Sequence, residues 1–476
     1  MIRITDKKDC CGCHACASVC AKRSITMQED NEGFLYPVVD ASTCTDCGLC
    51  EKVCPVINQD ELRKPLKVYA AKNRDEEIRR QSSSGGIFTP LAEAVIREGG
   101  VVFGAKFDKE WNVIHAWTDT IEGIADFRGS KYVQSTIGNT YREAREFLKQ
   151  GRKVLFSGTP CQIAGLRKFL RKEYGNLLTV DVVCHGVPSP LIWRKYLEET
   201  RENLRAERDA GKNTVSSSLK DIPVITGISF RDKTHGWKKY GFSLRYAASK
   251  AAGNSVSISA KDKNRTLLQP FPENVFMKGF LKNLYLRPSC YACAARSGKS
   301  GSDISIADFW GVQNYYPEFD DDKGTGLVLV NTDKGRMAYE QVNANDIEST
   351  YEQGLIQNPC LEHSVPRTKH VGTFWKEFEA KGMTIVKEIE LKLGQDQHGI
   401  GDALILHVLL SGQHDVAGIL GQRAVIGIVD NHGVAGHRQR GDLTKRINDS
   451  SIGIGNKHHI AFFDNGILSY TAHVEP

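Results

Sequence analysis

Two cysteine runs open the chain. "CCGCHACASVC" places Cys10, Cys13, Cys16 and Cys20 at gaps of two, two and three residues; "CTDCGLCEKVCP" repeats that spacing with Cys44, Cys47, Cys50 and Cys54, and Pro55 follows. Three thiolates from one tight loop can wrap a face of an iron–sulfur cube, leaving a fourth to arrive from elsewhere. The alternative is structural zinc. Zinc usually takes paired ligands from two elements per tetrahedral ion, which three regularly spaced cysteines plus one, occurring twice, match poorly. Cys11 falls outside both registers and reads as a bystander. So short a segment has few residues for a core, and bound metal would supply much of its folding energy.

The duplicated run resembles a bacterial two-cluster ferredoxin, in which the fourth cysteine of each run serves the cluster of the other. The resemblance implies one [4Fe-4S] cluster on Cys10, Cys13, Cys16 and Cys54, and a second on Cys44, Cys47, Cys50 and Cys20. It also implies electron transfer, with the source and destination left to the remaining chain.

Behind residue 60 and the charged connector "DELRKPLK", the pattern changes to strands and helices. "VYAA" reads as a strand, "SSSGGIFTPLAEAVIREGG" as a capped helix and "VVFGAKF" as a second strand, a βαβ rhythm. Ser82, Ser83, Ser84, Gly85 and Gly86 offer hydroxyls and open backbone N–H groups at a positive helix end, where phosphate binds, although an ordinary cap and turn has the same composition. A second unit is clearer: "KVLFSGTPCQIAGLRKFL", then "LLTVDVVCHGVPSP", then the helix "LIWRKYLEETRENL". Its strands should run parallel, with their ends and their ligand on one sheet edge. Cys161 and Cys184 each follow such a strand, and "CYAC" adds Cys290 and Cys293 before the strand-like "SDISIADFWG". Two plus two cysteines make a third cluster site; a structural zinc or isolated buried thiols are the competing readings.

"SSSGGIFTPLAEAV", "GSKYVQS", "LFSGTPCQIAGL", "DVVCHGVPSP" and "CYACAARSGKSGSDISIADFWG", in this order behind the two cysteine runs, resemble the family of coenzyme F-420 hydrogenase/dehydrogenase beta subunits over roughly residues 1 to 385. That resemblance implies an iron–sulfur flavoprotein oxidoreductase with three [4Fe-4S] clusters, the third on Cys161, Cys184, Cys290 and Cys293. It implies FAD held by Ser84, Gly85, Gly86, Ser130, Lys131, Tyr132, Gly158, Thr159 and Pro160. Deazaflavin coenzyme F-420 or ferredoxin would be the electron partner, with a small organic substrate as a further possibility. A hydride donor gives two electrons and a cube moves one, so flavin would store the difference. His185, beside Cys184, would either relay a proton or simply pack.

The implied fold class is mixed: an α+β ferredoxin fold over 1–60, then an α/β flavin- and iron–sulfur-binding core, its flavin region over 66–150 and its third-cluster region over 151–385. Residues 386–476 form a tail without a family counterpart; it holds no cysteine, and its irregularly spaced histidines fit no metal site. The chain of 476 residues has an ordinary soluble composition, 40% hydrophobic and 25% charged, and its net charge of +6 does not point to nucleic acid. No apolar run is long enough for a membrane span, and the absence of an apolar leader favours the cytoplasm. No Gly-x-Gly-x-x-Gly fingerprint disposes the chain to nicotinamide dinucleotides. Residues 1–60 carry 6 Lys/Arg and 9 Asp/Glu, and "RDKTHGWKKY", 231–240, is a basic run that could receive an anionic carrier or dock the acidic segment. Two classes remain: a flavin-dependent enzyme with its own substrate, and an electron-relay subunit of a hydrogenase or formate dehydrogenase.

Overall fold

The computed structural model describes residues 1–210, 223–247, 249–252, 255–258, 265–392, 425–426, 458–462 and 468–472. The chain divides into two compact units, Met1–Val386 and Lys387–Pro476. In the second unit the described residues form a three-stranded antiparallel sheet of Val425–Ile426, Leu468–Ala472 and His458–Phe462. Residues 387–392 are helical, and the rest of that tail lies outside the described residues.

The first unit opens with helix α1 (Ala15–Val19), the antiparallel pair β1 (Ile25–Glu29) and β2 (Leu35–Val39), and helix α2 (Leu49–Lys52). The repeat is written in the backbone as well as in the cysteines. Gly12 and His14 have φ of +68° and +63°, and Asp46 and Gly48, at the equivalent places after Cys44, have +48° and +70°. Left-handed residues at both positions curl each loop into the following helix.

Next come β3 (Lys67–Asn73), α3 (Glu76–Gln81), α4 (Phe88–Arg97), β4 (Val101–Phe107), β5 (Val113–Thr118), α5 (Thr140–Lys149), β6 (Val154–Gly158), α6 (Pro160–Leu170), β7 (Leu177–Val182) and α7 (Pro190–Ala210). Strands β8 (Val224–Asp232), β9 (Gly241–Ala247) and β12 (Arg265–Pro270) make a separate antiparallel sheet, interrupted by the hairpin β10 (Ser249–Ala252) and β11 (Ser255–Ile258). Then β13 (Ile304–Asp308), β14 (Gly326–Val330) and β15 (Ala344–Ser349) return to the main sheet, whose order is β15-β3-β14-β13-β7-β6-β4-β5.

Only the middle of that sheet is parallel: β13, β7, β6 and β4 run together, while β5 on one side and β14 on the other are antiparallel to their neighbours. The parallel strands are buried on both faces, as their continuous apolar runs require. Val101, Phe103, Val154 and Phe156 face α5 and α6, whereas Val102, Leu155, Leu178 and Val180 face α4. The expected βαβ unit from β3 through α4 to β4 is not a unit of neighbours, because β14, β13, β7 and β6 lie between its two strands. Local pattern carries no information on that separation.

The ferredoxin segment is not merely tethered. Cys13, Ala15, Val19 and Val53 belong to the same apolar cluster as Phe156, Ile163 and Leu166 of the core. Hydrogen bonds reinforce the seam: Arg142 donates to the carbonyls of Ser18 (2.8 Å) and Ala17 (2.9 Å), which the end of α1 leaves unpaired.

Candidate functional site

The first cysteine quartet surrounds a small cavity of about 20 Å³ lined by Cys10, Cys13, Cys16 and Cys54 among Ile2, Ile4, Met27, Pro37 and Val56. Burial, with the charges of Cys10 and Cys54 nearby, pushes the Cys16 thiol up to about 12, and burial also raises Cys54. Thiols so placed ionise only when a metal compensates them, so the donor set fits an iron–sulfur cube. Of the other quartet, Cys50 is buried and its Sγ accepts from Ile2 N at 3.4 Å, Cys20 packs in the same small apolar cluster, and Cys47 is exposed.

Elements distant in sequence gather the second pair of pairs. Cys161 stands in the first turn of α6, Cys184 in the loop leaving β7, and Cys290 and Cys293 in and after the 3-10 turn Pro288–Ala292. Burial dominates the upward displacement of Cys184, with Cys290, Cys161 and Cys293 adding to it, and Cys290 is pushed up to about 12 by burial with Cys293 and Cys161. Val187 N donates to Cys290 Sγ at 3.4 Å. The four half-buried thiols therefore share one neighbourhood. Among the described residues no three His, Cys, Asp or Glu side chains converge as ligands of a single ion would.

Beside this quartet lies a cavity of about 530 Å³. Every residue assigned above to the flavin lines it except Pro160, which begins α6. Gly85 is fixed there by close approach: a Cβ would stand 2.2 Å from Ala71 O and 2.5 Å from Gly326 N, both backbone atoms. Ser84 donates to Thr325 O at 2.9 Å, and Ser83 Oγ accepts from Ser130 N at 2.6 Å, which ties the Ser-rich turn to the 129–132 loop. Lys131 Nζ donates to the carbonyls of Arg128 (3.0 Å) and Gly129 (3.2 Å), and burial lowers its pKa to about 7. Tyr132 stacks on Phe280 with 4.9 Å between ring centroids. Thr159 closes a capping box with Gln162, which accepts from Thr159 N at 2.9 Å.

Cys184 and His185 also line the cavity, so one thiol of that quartet stands on its wall. His185 Nε2 lies 2.7 Å from Asn283 Oδ1, its ring packs edge-on to Phe280, and burial lowers its pKa.

The basic run 231–240 is partly built into the core: Arg231, Trp237 and Tyr240 are buried, whereas Thr234, His235, Lys238 and Lys239 are exposed. Arg231 is buried and paired with Asp308 at 2.7 Å, which also accepts from Trp237 Nε1 at 2.9 Å. Lys233 donates to the carbonyls of Arg79 (2.6 Å) and Lys323 (2.8 Å), and Lys238 pairs with Asp320. These contacts bind the β8–β9 turn to the 308–323 segment and to Arg79. Arg231 and Tyr240 line the cavity, and Arg231 retains a buried Nε without a partner.

Three participants escaped sequence reasoning. The Cys11 thiol lies near both Cys13 and Cys161, which influence its pKa, and so stands between the two quartets. Cys360 lines the cavity with Sγ 3.9 Å from His185 Nδ1, and no motif surrounds it. His115, at the cavity wall, donates from Nε2 to Ser157 O (3.0 Å) and accepts from Ser135 Oγ (2.9 Å), while burial lowers its pKa to about 4 and keeps it neutral.

Family models described as the N-terminal and C-terminal parts of the coenzyme F-420 hydrogenase/dehydrogenase beta subunit match residues 68–140 and 151–352, and a 4Fe-4S dicluster domain matches residues 9–58. The chain belongs to the family of coenzyme F-420 hydrogenase/dehydrogenase beta subunits. Among relatives, one of the subunits of the F(420)H(2) dehydrogenase of Methanosarcina mazei is 27% identical over 189 residues, 37% of this chain and 53% of the relative. The coenzyme F-420-dependent sulfite reductase of Methanocaldococcus jannaschii is 28% identical over 204 residues, 41% of this chain and 30% of the relative. The match thus spans about half of the first relative and less than a third of the second. A 7Fe ferredoxin of Hydrogenibacillus schlegelii is 38% identical over 64 residues, 13% of this chain and 76% of that one. A chain of the F-420-reducing [NiFe] hydrogenase complex of Methanosarcina barkeri superposes with a TM-score of 0.38 at 18% identity, covering 68% of this chain and 94% of that one. Membership of this family and the dicluster domain mark the chain as one with a 4Fe-4S ferredoxin-type domain. Among the described residues no helix is long and apolar enough to cross a membrane.

Proposed function

We propose that this chain is a flavin-dependent iron–sulfur oxidoreductase, in which FAD in the large cavity exchanges electrons with a third [4Fe-4S] cluster on Cys161, Cys184, Cys290 and Cys293, and thence with the two ferredoxin clusters. The observation that carries this reading is Cys184: it belongs to the core quartet and also lines the cavity that holds the Ser84–Gly86, Ser130–Tyr132 and Gly158–Thr159 segments. A cavity of about 530 Å³ is in the usual size range of organic-ligand sites, and its apolar walls with a few donors suit a ring bearing a polar chain.

Flavin supplies the change from two-electron to one-electron chemistry. The chain's residues bind, orient and insulate. Lys131, with its displaced pKa near 7, and the unpartnered Nε of Arg231 offer donors to anionic or carbonyl oxygens; the Gly85–Gly86 backbone permits close approach. His185, held by Asn283, can hand a proton across the cavity wall. The hydride carrier is proposed as reduced coenzyme F-420, from the family and the names of its relatives, with ferredoxin as the donor where no deazaflavin exists and a small organic compound as acceptor. The alternative, a relay component of a larger complex, draws support from the Methanosarcina mazei relative, which is itself one subunit of a dehydrogenase.

Anaerobic purification with iron and flavin analysis tests the proposal. About twelve irons and one flavin per chain are expected, four irons for each cube. Zinc in their place, or a protein that takes up no flavin, would refute it.

A further inference from the structure

We propose that Arg287 is a positioning residue that joins the Cys10, Cys13, Cys16 and Cys54 site to the core quartet and raises the reduction potential of the cluster held there. That cluster is then the ferredoxin centre that exchanges electrons with the core. The inference rests on the iron–sulfur reading above and deepens it.

Arg287 is fully buried and touches a ligand of each quartet. Its carbonyl accepts from Cys290 N at 2.8 Å, while its own N–H donates to Val187 O at 3.0 Å. Its side chain reaches the other way: Nε donates to Cys10 O at 2.7 Å, Nη2 donates to Leu35 O at 3.0 Å and lies 3.5 Å from Cys10 Sγ. Nη1 donates to Gln134 Oε1 at 3.0 Å, and Gln134 in turn donates to Cys11 O at 3.1 Å. The guanidinium sits over the Tyr36 ring, 4.2 Å from its centroid. Gly12 makes room for it, since a Cβ there would meet Nη1 at 2.8 Å.

Among the described residues no carboxylate pairs with this cation. A buried charge needs a partner, and the partners at hand are thiolates. Four thiolates on a cube outnumber the positive charge of its core, and reduction adds one more negative charge. A cation in hydrogen-bond contact with a ligand sulfur in a low-dielectric interior therefore favours the reduced cluster. The same quartet also packs on the core elsewhere: a Cβ on Gly165 of α6 would meet Cys13 Sγ at 2.8 Å, whereas among the described residues the other quartet meets the core through the Cys20 carbonyl, 3.5 Å from Arg142 Nη2, and not through a sulfur. Cys47 of the other quartet is exposed. In the step itself one electron leaves the core site and one arrives at the Cys10 site, with no bond made or broken and no proton moved.

The test is an anaerobic redox titration of the full chain followed by EPR, for wild type, Arg287→Gln and Arg287→Lys. Arg287→Gln is expected to lower the midpoint of one ferredoxin signal, leave that of the other in place and keep the iron content. Arg287→Lys keeps the charge, but its ammonium cannot serve Cys10 and Leu35 together, so a smaller lowering of the same signal is expected and serves alone if the Gln variant does not load. Cubane signals with wild-type midpoints in whichever variant loads would overturn the inference and leave the cofactor reading intact. Absence of cubane signals from wild type would instead overturn the cofactor reading.

Discussion

Lys131 concentrates the question of what the cavity binds. Its ammonium donates to the carbonyls of Arg128 and Gly129, and burial, opposed by the Asp126 carboxylate, brings its pKa down to about 7. An anionic ligand beside it gains a charge-assisted hydrogen bond only while the ammonium is protonated. Flavin affinity, measured by fluorescence titration of the deflavinated protein, should therefore weaken several-fold as pH rises through about 7 to 9, and Lys131→Met should bind weakly with the step gone. In ligand-free protein the sign is opposite. The unfolded lysine holds its proton to higher pH than the folded one, so this residue's contribution to stability rises with pH between about 7 and about 10.5. The dicluster domain was legible at this scale because its two cysteine runs repeat one spacing. Cys11, Cys360 and Arg287 were not, since their roles depend on partners more than a hundred residues away. The ion pairs of the basic run 231–240 were hidden for the same reason: their carboxylates, Asp308 and Asp320, lie on distant segments.

At the level of elements, two glycines set how closely segments meet. Gly165 lets Cys13 rest on α6, one turn beyond Cys161. Gly165→Val should force the ferredoxin α1 away from the core, costing about 1–3 kcal/mol in urea unfolding and slowing electron passage between core and ferredoxin while leaving flavin content unchanged. Gly85→Ala meets backbone of β3 and β14 rather than a movable side chain, so it should lower stability and flavin content together. Leu155→Ala, wholly buried in the centre of β6, should cost about 2–5 kcal/mol without touching a cofactor ligand. Chemical denaturation with flavin and iron quantified in the same samples separates the three. The central parallel strands were readable because burial on both faces leaves continuous apolar runs. The antiparallel flanks and the wide separation of β3 from β4 were not, because strand order depends on β13–β15, which return from far downstream.

For the whole first unit, the ferredoxin and the core share one apolar cluster, so the proposed electron transfer between them would need no docking step. Raising ionic strength should therefore leave the internal transfer rate unchanged, whereas a charge-steered encounter between separate domains would slow. The central claim is that electrons from a hydride donor reach the ferredoxin clusters only through the flavin and the core quartet. The most direct measurement is anaerobic stopped-flow mixing of reduced coenzyme F-420 with the wild-type chain and with Cys290→Ser/Cys293→Ser, following flavin and cluster absorbance separately. In wild type the flavin should bleach first and the clusters follow. In the variant, which should lack about four irons, the flavin should bleach at the wild-type rate while the ferredoxin clusters stay oxidised. Ferredoxin clusters reduced equally fast in both proteins would contradict the account.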